Sequence, residues 1–194
     1  MHLILGFGAT GASYLRYLRS RNIPTMIMDS RPNPPGLLEF EELETNDLCF
    51  GRFDTSILRK VERILVSPGI EYENDVLLEA RRLGIEILTD IELFLEESTS
   101  TKILVTGTNG KTTVVSMAGY LLSKTYKDKK VICSGNIGKP VLDTLNERHS
   151  LSVVEVSSFH LEHSRNLLSE VGVLLNVDQD HLDRHHSISN YKKI

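Results

Sequence analysis

The chain has 194 residues, of which 40% are hydrophobic and 25% charged, and a formal net charge of -4. This composition is typical of a globular protein, and an acidic balance without a lysine and arginine cluster gives no reason to expect a nucleic-acid partner. The sequence shows no basic signal-peptide segment and no run of roughly 18 apolar residues, so we expect a cytoplasmic protein without a membrane partner. Cys49 and Cys133 lie too far apart for a zinc-binding pair or a disulfide framework.

Short apolar runs alternate with longer amphipathic stretches along the whole chain. Such alternation is typical of a parallel sheet covered by helices, so the predicted fold class is α/β. The predicted strands are residues 2–5, 25–29, 63–67, 85–88, 102–106, 131–134, 152–156 and 171–177. Two groups at helical spacing predict buried stripes: Val76, Leu77, Ala80 and Leu83, and Val114, Ala118, Leu121 and Leu122.

A polar segment at residues 96–102 separates two α/β units. We predict a Rossmann-like first domain at residues 1–97 and a second domain at 98–194. The second domain offers four strand candidates, and its final SISNYKKI begins like a helix, with Ser187 or Ser189 as the cap, but has no helix-ending signal. We therefore expect the second domain to be incomplete and the chain to be a fragment of a longer protein.

The first glycine-rich loop, GFGATG at residues 6–11, follows a predicted strand and opens a helix. Asp29 ends the next strand, at the distance that the dinucleotide-binding fingerprint requires. In that fingerprint the start of the helix holds a pyrophosphate and the acid binds a ribose hydroxyl. Taken alone, the motif favours NAD or another nucleotide diphosphate as the ligand, without deciding between them.

The second loop, TGTNGKTT at residues 106–113, departs from the Walker pattern because Val105 occupies the position of its first glycine. The loop nevertheless lies between a strand and an amphipathic helix, where Gly107 and Gly110 would let backbone N–H groups converge on phosphates. Lys111 would reach the terminal phosphates, and Thr112 would offer its hydroxyl to Mg²⁺. We therefore predict a phosphate loop.

Further polar residues follow the strands of the second unit, at the carboxyl ends where open α/β sheets bind ligands. Glu155 lies in an apolar strand, so we predict Mg²⁺ as its partner, with a bond to nearby backbone or to lysine as the alternative. Within DQDHLDRHH, only His181 is predicted as a metal ligand, with Asp180 beside it, and most of the run as solvated loop. His160 and His163 are predicted on a helix surface, with His160 near enough to touch substrate.

Four motifs of the second unit resemble the central ATPase domain of the Mur ligases, the ATP-dependent amide-bond enzymes of peptidoglycan precursor synthesis. In chain order they are TGTNGKTT, GNIG, EVSSFHLE and NVDQDHLDRH. GTNGKT is this family's own form of the phosphate loop. The first-half motifs GFGATG, MDSRPNPPG, VSPGI and DIELF resemble the family branch that adds D-glutamate to UDP-N-acetylmuramoyl-L-alanine. The resemblance implies a Rossmann-like domain followed by the first part of a P-loop-type ATPase domain.

The resemblance also implies a role for individual residues. Around the uridine diphosphate it implies Ala9, Thr10, Asp29, Ser30, Arg31 and Gly69, with Asn136 from the second domain. Around ATP it implies Gly107, Thr108, Asn109, Gly110, Lys111, Thr112 and Thr113. Thr112 and Glu155 would hold one Mg²⁺ and His181 a second, while Ser157 and His160 would face the muramoyl group. The implied catalytic residues are Lys111, Glu155 and His181.

Two departures from the family pattern qualify these expectations. The D-glutamate branch usually has glutamine where this chain has His160. The family's carbamoylated lysine follows a tyrosine by four positions, which from Tyr191 falls one position after Ile194.

We expect the full-length parent to join D-glutamate to its substrate through an acyl phosphate, and the fragment to be inactive. The alternatives are a Mur ligase of other amino-acid specificity, a non-catalytic nucleotide-binding fragment, and a dehydrogenase suggested by GxGxxG alone. The sequence does not indicate an oligomeric state.

Overall fold

The computed structural model describes residues 1–40, 43, 47–148 and 150–194. The chain forms two compact units, Met1–Asp90 and Ile91–Ile194. Each contains one sheet in which all strand pairs are parallel, which confirms the predicted α/β class. The domain boundary predicted after residue 97 stays a prediction. No helix among the described residues is long and apolar enough to cross a membrane.

The first unit contains a five-stranded sheet and its covering helices. The strands are β1 (His2–Leu5), β2 (Thr25–Asp29), β3 (Leu48–Phe50), β4 (Arg63–Val66) and β5 (Glu86–Leu88). The helices are α1 (Ala9–Ser20) and α2 (Asp75–Arg82), with 3₁₀ helices at Pro35–Glu39 and Thr55–Lys60. The strand order is β3-β2-β1-β4-β5. β3 is absent from the predicted strands. All three of its residues are partly exposed, whereas two of the three residues of β5, which was predicted, are buried.

The stripe predicted on α2 is largely confirmed. Asn74 begins the helix, since its side chain accepts a hydrogen bond from the Val76 N–H. Val76, Leu77 and Ala80 are fully buried, whereas Leu83 is 45% exposed. The prediction for Leu83 is wrong because the helix ends at Arg82 and Leu83 is already its C-cap.

The second unit contains a four-stranded sheet. Helix α3 (Asp90–Glu97) leads into the strands β6 (Thr101–Thr106), β7 (Val131–Gly135), β8 (Leu151–Glu155) and β9 (Val171–Leu174). The helices that follow α3 are α4 (Lys111–Thr125), α5 (Ser158–His163), α6 (Leu182–His185) and α7 (Ile188–Tyr191), with a 3₁₀ helix at Val141–Thr144. The strand order is β7-β8-β6-β9. The predicted cap of the last helix is confirmed at Ser187, whose side chain accepts from the Asn190 N–H.

Helix α4 packs on the sheet through an apolar stripe. Val115 is fully buried, and Val114, Ala118 and Leu122 pack around it against the strands. Leu121, which was predicted in this stripe, is 59% exposed. The prediction is wrong for Leu121 because one helix position is about 100° from the next, so Leu122 occupies the inward face and turns Leu121 away.

Gly119 allows α4 to approach β7 closely. A Cβ atom placed on Gly119 would lie 2.2 Å from the Cys133 Sγ but 4.0 Å from the Cys133 Cβ. The Cys133 thiol also donates to the Val115 carbonyl at 3.5 Å. The distance between helix and strand therefore depends on the absence of a side chain at Gly119.

Gly119→Ala should lower the free energy of unfolding by up to about 2 kcal/mol. Overpacking lowers the free energy of unfolding by about 1–3 kcal/mol. The higher helix propensity of alanine raises it by about 1 kcal/mol at most. Urea unfolding measures the change. Adding Cys133→Ala should restore most of the loss, since the Sγ is the clashing atom. Gly172→Ala is the control, since no atom of the described residues lies within 4 Å of its added Cβ. A double variant as unstable as Gly119→Ala would contradict this account.

Candidate functional site

The carboxyl ends of β1, β2 and β4 form the candidate site of the first unit. These strands are neighbours in a parallel sheet, so the segments that follow them meet at one edge. Ala9 and Thr10 begin α1, Asp29 ends β2 and is followed by Ser30 and Arg31, and Gly69 lies in the turn after β4. The topology thus brings all six first-unit residues named from the sequence to the same edge of the sheet.

Asp29 is the buried centre of this edge, with 2% of its surface exposed. Its Oδ2 accepts from the Phe7 N–H at 2.7 Å and from Arg31 Nη2 at 2.7 Å. Its Oδ1 accepts from the Arg31 backbone N–H at 2.9 Å and from Arg31 Nε at 2.8 Å. Burial raises the pKa of Asp29, but the bonds from the Arg31 side chain and from both backbone N–H groups outweigh it and lower the pKa below its ordinary value.

These bonds give Asp29 a structural role. The carboxylate ties the glycine-rich loop to the end of β2 through Phe7 and orients the guanidinium of Arg31, which is half exposed. A ribose hydroxyl, the ligand that the dinucleotide fingerprint predicts for this acid, would have to compete with four internal hydrogen bonds. The geometry instead presents Arg31 as the charged group of the site, suited to an anion or to a planar ring.

The phosphate loop of the second unit connects β6 to α4. Gly110 is the N-cap of α4 and has a φ of +83°, a conformation that residues with side chains rarely adopt. The first backbone bond of the helix runs from the Val114 N–H to the Gly110 carbonyl. The N–H groups of Lys111, Thr112 and Thr113, in the first turn of α4, have no acceptor among the described contacts, and such donors at a helix start can bind anions.

Lys111 lies over the carbonyls of its own loop. Its Nζ donates to the Gly107 carbonyl at 2.7 Å and to the Thr108 carbonyl at 2.8 Å. Because lysine has a flexible stem and three rotatable donors, the ammonium can exchange these carbonyls for phosphate oxygens without moving the backbone. Lys111 therefore lies at the loop, and its role in phosphate binding stays a prediction.

Glu155 is 1% exposed at the end of β8. Its Oε2 accepts from the Thr112 hydroxyl at 2.8 Å, and its Oε1 accepts from the Asn136 Nδ2 at 3.0 Å. Both donors are neutral side chains, rather than the backbone group or lysine considered from the sequence. These two bonds therefore bring no positive charge to the carboxyl group, which lies next to the loop. Thr112, Asn136 and Glu155, all predicted as site residues from the sequence, are therefore in contact.

A carboxylate and a hydroxyl are oxygen ligands of the kind that Mg²⁺ prefers, so Thr112 and Glu155 fit this ion. Among the described residues, no group of three or more His, Cys, Asp and Glu side chains is placed to hold a metal. Two protein oxygens suffice for Mg²⁺ beside a nucleotide, because this ion usually keeps water and phosphate ligands.

His181 is exposed and has left-handed backbone geometry at the start of α6, with a φ of 50°. Its Nε2 lies 3.6 Å from the Asp180 Oδ2, and its ring centre lies 4.9 Å from that of Phe159. His185 differs from the solvated loop predicted for this run, since it is buried and its Nε2 lies 3.0 Å from the Ser158 hydroxyl. Burial lowers the pKa of His185, which favours the neutral ring.

The prediction that His160 and His163 lie on a helix surface is wrong. Both are buried, at 3% and 5% exposed. Their three-residue spacing places them on one helix face, and that face turns inward, where His163 Nε2 lies 3.4 Å from Arg184 Nη2. His160 Nδ1 lies 2.6 Å from the Ser157 hydroxyl in a capping box that begins α5. Ser157 and His160 are therefore partners of each other.

The sequence analysis missed Asn176 as a contact of the phosphate loop. Asn109 N–H donates to Asn176 Oδ1 at 2.9 Å, although the two residues are 67 positions apart. Tyr191, named only for its spacing to a lysine, lies with its hydroxyl 3.1 Å from that of Thr108. The only available signal was the position of Asn176 at the carboxyl end of a predicted strand.

Comparison with protein families assigns both units. Residues 1–89 match the model described as Mur ligase MurD-like, N-terminal domain. Residues 105–194 match the Mur ligase middle domain. The two matches cover most of the chain, in the order predicted from its motifs.

Relatives of known name extend along nearly the whole chain. UDP-N-acetylmuramoylalanine--D-glutamate ligase of Shewanella oneidensis is 40% identical over 199 residues, a match that covers 99% of this chain and 44% of that protein. The enzyme of the same name from Legionella pneumophila strain Paris is 38% identical, with 98% and 43% covered. The chain therefore spans less than half the length of the curated relatives it matches.

Two solved structures share the fold. UDP-N-acetylmuramate:L-alanyl-gamma-D-glutamyl-meso-diaminopimelate ligase from Neisseria meningitides aligns with a TM-score of 0.57 at 19% identity, over 99% of this chain and 65% of that one. UDP-N-acetylmuramate-alanine ligase from Thermotoga maritima aligns with a TM-score of 0.52 at 18% identity, over 99% and 45%. At these identities the likeness shows the fold alone.

Asp29→Asn should lower the free energy of unfolding by about 2 kcal/mol at pH 7, because hydrogen bonds to a charged group each contribute about 1.5–3 kcal/mol and Arg31 is half exposed. The pKa of Asp29 is lower in the folded protein than its ordinary 3.8. The wild-type advantage should therefore be complete above about pH 4 and should vanish as the pH falls through 3.8 and then through the folded pKa.

Urea unfolding of both proteins from pH 7 to pH 3 measures this difference. Glu73→Gln, a loss of charge at an exposed position of the same unit, is the matched control at pH 7. A difference between wild type and Asp29→Asn that stays constant down to pH 3 would show that the charge of Asp29 is not what stabilises the loop.

Proposed function

The chain belongs to the Mur ligase family, and on that basis we propose that it forms part of an ATP-dependent ligase that adds D-glutamate to UDP-N-acetylmuramoyl-L-alanine in cytoplasmic peptidoglycan precursor synthesis. The observation that carries the proposal is the Glu155 carboxylate, buried and bonded to Thr112 of the phosphate loop. A buried charge held by neutral donors beside a helix start is the arrangement that a metal-bound triphosphate needs. The names of the relatives support D-glutamate as the amino acid added.

In this proposal the phosphate loop binds ATP through residues 107–113. Lys111 contacts the terminal phosphates after leaving its two loop carbonyls. Thr112 and Glu155 hold one Mg²⁺, and His181 provides a ligand to a second. Mg²⁺ held by these residues would supply positive charge to the transferred phosphoryl group. The α4 N–H groups and Lys111 add fixed positive charge on the protein side.

The first unit is proposed to bind the uridine diphosphate part of the substrate. Arg31 is its cationic group, and Asp29 holds that guanidinium in place through paired hydrogen bonds. Ala9 and Thr10, at the start of α1, offer backbone N–H groups to the diphosphate. Ser30 and Gly69 lie at the same edge of the sheet. Within the second unit, the proposed substrate contacts are Asn136, Ser157 and His160.

The reaction needs activation of the substrate carboxylate, because oxide is a poor leaving group. A carboxylate oxygen attacks the γ-phosphorus of ATP, ADP leaves, and an acyl phosphate forms. The D-glutamate amine then attacks the acyl carbon, phosphate leaves, and the amine loses a proton as the amide forms. The protein contributes mainly positioning and charge neutralisation. Since the relatives are more than twice as long as this chain, we propose that turnover needs segments outside it and that the chain alone is inactive.

Glu155→Gln should weaken MgATP binding by about tenfold or more, since it removes the charge that holds the metal while keeping the shape of the side chain. Lys111→Ala should weaken binding through the terminal phosphates, whereas Lys127→Ala, an equal loss of charge at an exposed position, should not. Titration calorimetry with and without EDTA measures these affinities. Equal affinity of Glu155→Gln and wild type, or ATP binding indifferent to EDTA, would refute the metal role of Glu155.

The ligase assignment is tested with protein expressed from the complete reading frame that contains this sequence. We expect phosphate release that needs UDP-N-acetylmuramoyl-L-alanine, ATP and D-glutamate together, and none from the 194-residue chain. L-alanine and a diamino acid are the controls for amino-acid specificity. Release that does not depend on D-glutamate would refute the assignment, and tighter binding of NAD(H) than of the UDP substrate to the chain would favour the dehydrogenase alternative.

A further inference from the structure

We propose that Asn176 positions the phosphate loop for ATP, a role that rests on the ATP site proposed above. Asn176 follows β9 and is not among the residues named for that site. It contacts two consecutive residues of the loop, Thr108 and Asn109. It acts through the loop backbone and is a positioning residue.

The contact is a two-point pairing between an amide side chain and a backbone. Asn109 N–H donates to Asn176 Oδ1, and Asn176 Nδ2 donates to the Asn109 carbonyl, each at 2.9 Å. These two bonds fix the peptide planes on both sides of Asn109. Only a side chain with one donor and one acceptor on the same planar group can make both, so aspartate or alanine cannot replace it.

The backbone of Asn176 supplies a third bond. Its carbonyl accepts from the Thr108 N–H at 3.0 Å. Directly before it, the Leu175 N–H donates to the Thr106 carbonyl at 3.0 Å, so the pairing of β9 with β6 continues up to Asn176. A Cβ on Gly107 would lie 3.1 Å from both N and O of Asn176, which shows how closely the loop approaches this strand end. The loop is therefore attached to the sheet, a rigid support.

The pairing divides the loop into two functional parts. The N–H groups of Thr108 and Asn109 are taken by Asn176. The N–H groups of residues 110–113, at the start of α4, have no acceptor among the described contacts. Asn176 thus holds the first part against β9 and leaves the second part to face phosphates. Release of Asn109 would let its peptide planes rotate and would misalign the N–H groups that follow.

The test compares Asn176→Ala and Asn176→Asp with wild type, using the 194-residue chain and two measurements. The first is amide hydrogen exchange at Asn109, followed by NMR. The second is affinity for MgATP, with affinity of the first unit for the UDP substrate as a check on folding. Asn190→Ala is the matched control, because Asn190 is an exposed amide in the same unit whose backbone N–H, bonded to Ser187, survives the change.

Asn176→Ala should expose the Asn109 N–H to exchange and weaken MgATP binding about tenfold or more, the loss typical when a residue that orients a ligand-binding group is removed. Asn176→Asp should keep the Asn109 N–H protected, because its carboxylate still accepts, but should weaken MgATP binding because the donor is lost and a negative charge is added. UDP-substrate binding should not change in either variant.

Unchanged protection of Asn109 in Asn176→Ala, or MgATP affinity within twofold of wild type, would overturn the role of Asn176. Equal losses of MgATP and UDP-substrate affinity would also overturn it, since they would show a general loss of structure. These outcomes differ from failure of the proposed function, in which wild type itself would not bind MgATP.

Discussion

The buried charge of Glu155 is the constraint from which the geometry of the second unit follows. Removing a carboxylate from water costs several kcal/mol, so its oxygens must receive hydrogen bonds. The two donors come from separate elements: Thr112 from the first turn of α4, and Asn136 from the turn after β7. The backbone of Glu155 is also bonded to this turn, since its carbonyl accepts from the Asn136 N–H. The approach is close: a Cβ on Gly135 would lie 2.3 Å from the same carbonyl oxygen. Glu155 thus joins three elements: α4, β8 and the turn after β7.

The two units place an acid at the same point of similar folds and compensate its charge differently. In the first unit a guanidinium neutralises Asp29, so the carboxylate belongs to the scaffold and Arg31 carries the exposed charge. In the second unit the donors to Glu155 are Thr112 and Asn136, which are neutral, so these bonds bring no positive charge to the acid. An anionic or ring-shaped ligand suits the first arrangement and a cation suits the second. This electrostatic difference supports assigning different ligands to two loops that both follow a strand and open a helix.

Patterns that are local in the sequence predicted most of the fold, and interactions between distant residues account for the errors. Apolar runs located eight of the nine strands described, whereas β3 has three residues and no apolar run of useful length. The spacing of His160 and His163 correctly placed them on one helix face but could not show that this face turns inward. The residues of the phosphate loop were recognisable because its glycine, lysine and threonine residues form one short, contiguous motif. Asn176 was not, since its partner Asn109 lies 67 positions earlier and only the pairing of β9 with β6 brings them together.

That pairing makes the phosphate loop depend on the least supported strand of its sheet. β9 lies at one end of the described order and pairs with β6 alone. Its side chains are largely exposed, with Val171 at 45% and Leu174 at 65%, so little apolar burial holds it. Strands with few buried contacts open at lower free energy than the core they flank. Opening of β9 would withdraw Asn176 from Thr108 and Asn109, whereas the bonds from Thr112 and Asn136 to Glu155 do not involve β9. A contact that stabilised β9 would therefore act on the part of the loop that Asn176 holds, whereas the Thr112–Glu155 bond joins α4 to β8.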